Sequence, residues 1–146
     1  FTAAHSITLA AATLGWVEVP SKPLEAAIAL SIAFVAVEVV YARRGRVTFA
    51  TRRPWSIAFA FGLLHGFGFA GVLSEFGLPA GHIPAALLFF NIGVEIGQLV
   101  FVAAVLAIGA LIRLGVPRMP RWAIAVPPYL VGSMAMFWVF ERVATF

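Results

Sequence analysis

The chain has 146 residues, 62% of them hydrophobic and 11% charged, with a formal net charge of +4 and a mean hydropathy of +1.02. Soluble domains carry about 25% charged residues, so soluble globular and disordered readings are excluded and the composition is that of an integral membrane protein. The lack of cysteine removes disulfides, zinc-thiolate sites, iron–sulfur clusters and thiol nucleophiles together.

A bilayer core of about 30 Å needs about 20 mostly apolar helical residues. Five runs fit: Phe1 to Val17, Leu24 to Tyr41, Pro54 to Leu73, Pro84 to Ile112 and Trp122 to Phe140. They are continuous and rich in Ala and Leu, unlike the alternating segments of a barrel. The expected fold is therefore all-α, a single polytopic transmembrane helical bundle with five spans in this chain. The first run opens at Phe1 without a methionine or a basic segment before it, so upstream sequence is expected and no signal peptide is read. Pro20, Ser21 and Pro23 divide the first two runs, and Pro54 is placed to open the third as a first-turn proline. Pro79, Gly81 and Pro84 divide the third run from the fourth, which at about 1.5 Å per residue is longer than the bilayer and must tilt, break or begin at the interface. Pro117 and Pro120 bracket the last connection. Pro127 and Pro128 should kink the fifth run or mark its true start.

The basic residues are unevenly spread. Arg43, Arg44, Arg46, Arg52 and Arg53 follow the second run, and Arg113, Arg118 and Arg121 follow the fourth; the opposite connections hold Lys22 alone. The positive-inside rule makes the arginine loops cytoplasmic and puts the Phe146 end outside. The positive charge is thus a topology signal with contact to anionic membrane lipids as its by-product, and no nucleic-acid partner is read from it. Trp16, Trp55, Trp122 and Trp138 fall near run ends, as interfacial anchors do.

Within the runs lie Glu38, His65, Asn91, Glu95 and Gln98. A charged group at a helix centre costs about 2.5–3.5 kcal/mol on insertion scales, so each must face a partner, the bundle interior or water. Asn91, Glu95 and Gln98 share one stripe of their helix by i, i+4, i+7 spacing. Gly62/Gly66 and Gly93/Gly97 are GxxxG pairs, which allow close helix packing. From the orientation two polar levels are expected: His5 with Glu38 on the inner side, and His65 with Asn91, Glu95 and Gln98 at mid-membrane. Imidazole and carboxylate without thiolate suit nickel, cobalt, zinc, iron(II) or a proton relay. The competing reading of each residue is structural: a carbonyl-capped histidine in a glycine seam for His65, and an interhelical hydrogen bond for Glu95. Asn91 and Gln98 then act as second-rank ligands or helix glue, and Ser6 and Thr8 bond back to their own helix. No catalytic set is found, since Ser74 and Glu75 have no histidine placed to activate the hydroxyl; the chain is not read as an enzyme.

The string FTAAHSITL at Phe1–Leu9 resembles a motif of the HupE/UreJ membrane proteins, accessory to nickel hydrogenases and ureases. So do EAAIALSIAFVAVE at Glu25–Glu38, FGLLHGFGFAG at Phe61–Gly71 and FNIGVEIGQ at Phe90–Gln98. The resemblance covers essentially the whole chain in order. His5–Ser6 is also similar to the GHS motif of nickel/cobalt transporters, with Ala4 in place of the glycine. It implies a bacterial inner-membrane permease with nickel or cobalt as transported ligand and no tightly bound cofactor. The metal residues it implies are His65, Glu95, His5 and Glu38, with Asn91, Gln98 and Ser6 along the pathway and Gly62, Gly66, Gly93 and Gly97 in helix packing. The family's HxxxGxDH string is not in this chain, which has no Asp; placed upstream, it implies six or more spans in the intact protein. The alternative is an accessory subunit that packs in a homo-oligomer or a larger membrane complex without transporting anything.

Overall fold

The computed structural model describes residues 1–75, 82–115 and 120–145. Pro79, Gly81, Pro117 and Arg118, and the side chains of Ser74, Glu75 and Arg121, lie outside what is described. Six helices are found among the described residues: α1 Thr2–Thr13, α2 Ser21–Arg43, α3 Phe49–Arg52, α4 Pro54–Glu75, α5 Ile83–Gly115 and α6 Arg121–Val143. Each predicted apolar run carries one helix, and the short α3 forms inside the first arginine loop.

Three of these, α2, α5 and the Trp122–Val143 part of α6, are long and apolar enough to cross a membrane. The sequence predicts five such spans; α1 and α4 are not among the three found in the described residues. The 12 described residues of α1 reach about 18 Å, and the helix stops after Thr13. Gly15 takes φ +73°, its N–H bonds the Ala12 carbonyl, and the Trp16 N–H bonds the Ala11 carbonyl. That is the paired bonding of a Schellman stop, which needs a residue at positive φ after the helix and therefore favours glycine. The same device ends α2, with Gly45 at φ +75° and bonds from Gly45 to Ala42 and from Arg46 to Tyr41.

Small residues set the packing. Ala26, Ala29, Ala33 and Ala36 form the buried face of α2, and α2 packs mainly on α6, where Ala135 is buried and Gly132 lies beside Ala36. Contacts of this kind bring helix backbones together where no hydrophobic force from water acts. The other close pairing is α1 with α4; α2 also touches α4, while α5 touches α1 among the described helices. α5 is unbroken from Ile83 to Gly115 and longer than a bilayer core, at about 50 Å. α6 begins six residues before Pro127 and continues through both prolines, so they do not mark its start. The large exposed side chains, such as Phe101, Leu106 and Leu130, suit lipid rather than water.

Candidate functional site

Two glycines set the depth of α1. A Cβ at Gly62 would meet the Phe1 carbonyl and the Ala4 side chain, and one at Gly66 would overlap Thr8 Oγ1 and the His5 carbonyl. α1 therefore lies parallel to α4 in the Gly62–Gly66 groove, with Phe1 level with Gly62 rather than with the start of α4 at Pro54. His5 is thereby carried up to the level of Gly66, next to His65.

This corrects the expected pairing of His5 with Glu38. Glu38 Oε2 instead accepts a bond of 2.6 Å from the Ala50 N–H, where it holds the first turn of α3 at the arginine end. The two expected polar levels are thus one cluster, at the meeting of α1, α4 and α5, and a separate carboxylate that organises a loop.

α5 runs antiparallel to α1. Thr2 Oγ1 donates to Glu95, His5 Nδ1 lies 3.0 Å from Asn91 Oδ1, and Leu9 packs with Leu87 and Phe90. Glu95 thus makes an interhelical hydrogen bond, as its structural reading expects. The Asn91 amide Nδ2 donates to the Leu87 carbonyl at 2.8 Å, which leaves Oδ1 as the acceptor for His5. The His5 proton is therefore assigned to Nδ1. His65 Nδ1 lies 2.8 Å from the Phe61 carbonyl, which can only accept, so the same tautomer follows. The carbonyl cap of the structural reading is present, and it occupies one nitrogen of the ring.

In His5 the Nε2 lone pair is left over. His5 is fully buried, and its Nε2 has no hydrogen-bond partner among the described residues. Leaving such an atom unpaired costs about 1–3 kcal/mol. The two rings flank Phe1, at centroid distances of 5.8 Å for His5 and 5.7 Å for His65. Phe90 stacks on His5 and Phe69 meets it edge-on. These aromatic rings enclose His5, while His65 is only partly buried and lines a cavity.

Not every candidate joins. Gln98 is exposed, on the part of α5 beyond its contact with α1. A Cβ at Gly93 or Gly97 would meet nothing within 4 Å, so that pair faces open space. Ser6 Oγ donates to the Thr2 carbonyl at 2.7 Å within its own helix, and Thr8 bonds the Ala4 and His5 carbonyls. His82 is exposed. No group of three or more His, Asp or Glu side chains able to hold a metal ion is found among the described residues. Sequence reasoning missed Phe1, Thr2, Phe69 and Phe90. Thr2 was within reach: it precedes His5 by three as Glu95 follows Asn91 by four, matched offsets for antiparallel helices.

No curated protein and no solved structure matches the chain. A family model described as HupE / UreJ protein matches residues 1–142, which include every residue of the cluster. On that match, and on the membrane-spanning helices that carry it, the chain belongs to the HupE/UreJ family of membrane proteins.

Proposed function

We propose that the chain moves a divalent transition-metal ion, nickel or cobalt, across the bacterial inner membrane and so supplies metalloenzyme maturation. The observation that carries this reading is the buried His5 Nε2, a lone pair without a partner on a ring whose other nitrogen is held by Asn91. Orienting Nδ1 through a second residue is how proteins present imidazole to a metal, and nitrogen with carboxylate donors suits nickel and cobalt. Membership of a family associated with nickel supply to hydrogenases and ureases supports the same cargo. In this reading His5 and His65 offer Nε2, Glu95 offers a carboxylate once Thr2 releases it, and Asn91 orients. Glu38 keeps its bond to α3 and stands apart from the cluster. Few ligands at one level fit transport, since an ion must be held weakly enough to leave.

The test is radioactive nickel uptake into cells expressing the intact gene. His5→Ala, His65→Ala and Glu95→Gln should each abolish uptake at unchanged protein level. Asn91→Ala, which removes only the orienting group, should weaken it about 10–100-fold. Uptake retained in His5→Ala would remove the cluster from the mechanism.

One observation favours a second reading, an accessory subunit without transport. α5 packs only through its first half, on α1 and by Phe90 on Phe69 of α4, and exposed Gln98 beyond that contact is a polar group suited to another membrane helix. Stoichiometric co-purification with a membrane partner, together with uptake no greater than in empty cells, would select this reading.

A further inference from the structure

A cavity of about 480 Å³ opens between α2, α4 and α6, reaching the cluster at Phe1 and His65. Its α2 wall runs from Ser31 through Ile32, Val35 and Val39 to Arg43, a length of about 18 Å along the helix. Phe61 of α4 and Pro127 and Val131 of α6 close the other sides. The walls are therefore apolar along the groove, and a guanidinium stands at the end nearest the arginine loops.

That polarity fits an amphipathic anion: a metal cation would meet a positive charge on entry and, short of His65, a single hydroxyl, Ser31, which is spent on the Ile28 carbonyl. Arg43 spends one N–H on the Ile124 carbonyl, and a guanidinium has five. Beside it Arg44 is held by the Tyr129 hydroxyl at 3.0 Å. Glu38, the acidic residue of α2 nearest this end, is committed to the Ala50 N–H. Among the described residues the salt bridge joins Arg142 to Glu25, at the other end of α2, so the charge of Arg43 and Arg44 is not cancelled locally. Basic pockets between membrane helices at this level accept lipid headgroups.

We propose that this groove binds one anionic glycerophospholipid, with an acyl chain along Ile32, Val35 and Val39 and the phosphate on Arg43. The full chain would be placed in nanodiscs of equal phosphatidylglycerol and phosphatidylcholine, extracted, and examined by native mass spectrometry for lipid that stays bound. The wild type should retain one phosphatidylglycerol with about tenfold preference, because both lipids offer the phosphate but the choline cation of phosphatidylcholine offsets its charge beside Arg43 and Arg44. Arg43→Gln should remove the preference. Val35→Trp and Val39→Trp fill the groove and leave Arg43 in place; whichever of them folds, by an unchanged melting temperature, should retain phosphatidylglycerol no better than phosphatidylcholine. Equal retention of both lipids by the wild type overturns the proposal. So does phosphatidylglycerol retention that survives filling of the groove, because the lipid then sits elsewhere.

Discussion

Pro128 has no backbone N–H, so the Ile124 carbonyl four residues earlier loses the donor that an α-helix would give it. Arg43 supplies one from α2, which ties the last turn of α2 to the first turns of α6. An unpaired carbonyl facing hydrocarbon costs about 1–3 kcal/mol, and Arg43→Gln should lower stability by about that amount. In a Pro128→Ala background the intrahelical bond returns, and the same change should then cost little. A double-mutant cycle of unfolding in detergent checks this; an equal cost of Arg43→Gln in both backgrounds would sink it. Sequence reading placed Arg43 as a topology signal and Pro128 as a kink, and each reading was half of a pair. What joins them is the packing of α2 on α6, 81 residues apart in the chain, and no local pattern carries that. The cluster shows the same limit: the polarity of His5, His65 and Asn91 was legible, but the tautomers depend on which atoms face each ring.

Helix pairing divides the two GxxxG pairs, identical as motifs. Gly66 lies against the His5 carbonyl and Thr8 Oγ1, while Gly97 faces open space. Gly66→Ala must push α1 away from α4, and overpacking of this kind costs about 1–3 kcal/mol. Because the displaced atoms belong to His5 and Thr8, nickel uptake should fall with stability. Gly97→Ala adds a methyl group that meets nothing, and the helix should be unchanged or firmer by up to about 1 kcal/mol. Thermal unfolding in detergent, read beside uptake, distinguishes the two; a Gly97→Ala defect as large as that of Gly66→Ala would place a further helix on the open face of α5. The positions of the helices were legible because apolar runs and prolines are local signals. The depth of α1 was not, because it follows from where the Gly62–Gly66 groove receives it. Counting depth from the start of the run put His5 about two turns too low and gave it Glu38 for a partner. The signal that ends α1 was present, however: Leu14, Gly15 and Trp16 spell a helix stop as clearly as Arg44, Gly45 and Arg46 do.

Across the molecule the helices alternate in direction, and the basic residues divide between the two ends. Arg43, Arg44, Arg46, Arg52 and Arg53 gather where α2 ends and α4 begins, and Arg113 lies in the last turn of α5. At the other end Lys22 donates to the Thr145 carbonyl and Arg142 pairs with Glu25 at 2.8 Å. That pair is about half exposed, so it adds little stability and serves mainly to fix the end of α6 beside the start of α2. The asymmetry of Lys and Arg governs insertion, largely regardless of acidic neighbours, and it favours the arginine end as cytoplasmic. The proposed groove lipid and the proposed direction of metal entry both depend on that orientation, since anionic lipid would be recruited at the arginine end and metal supplied from outside would reach the cluster from the opposite end. A chain without cysteine offers a clean background for the measurement. Ser21→Cys and Arg46→Cys each replace an exposed residue at opposite ends of α2. A membrane-impermeant maleimide should label Ser21→Cys in spheroplasts with intact membranes, and Arg46→Cys only after the membrane is broken. The reverse pattern would invert the bundle, placing Arg43 and its groove in the outer leaflet and the Trp16 end toward the cytoplasm.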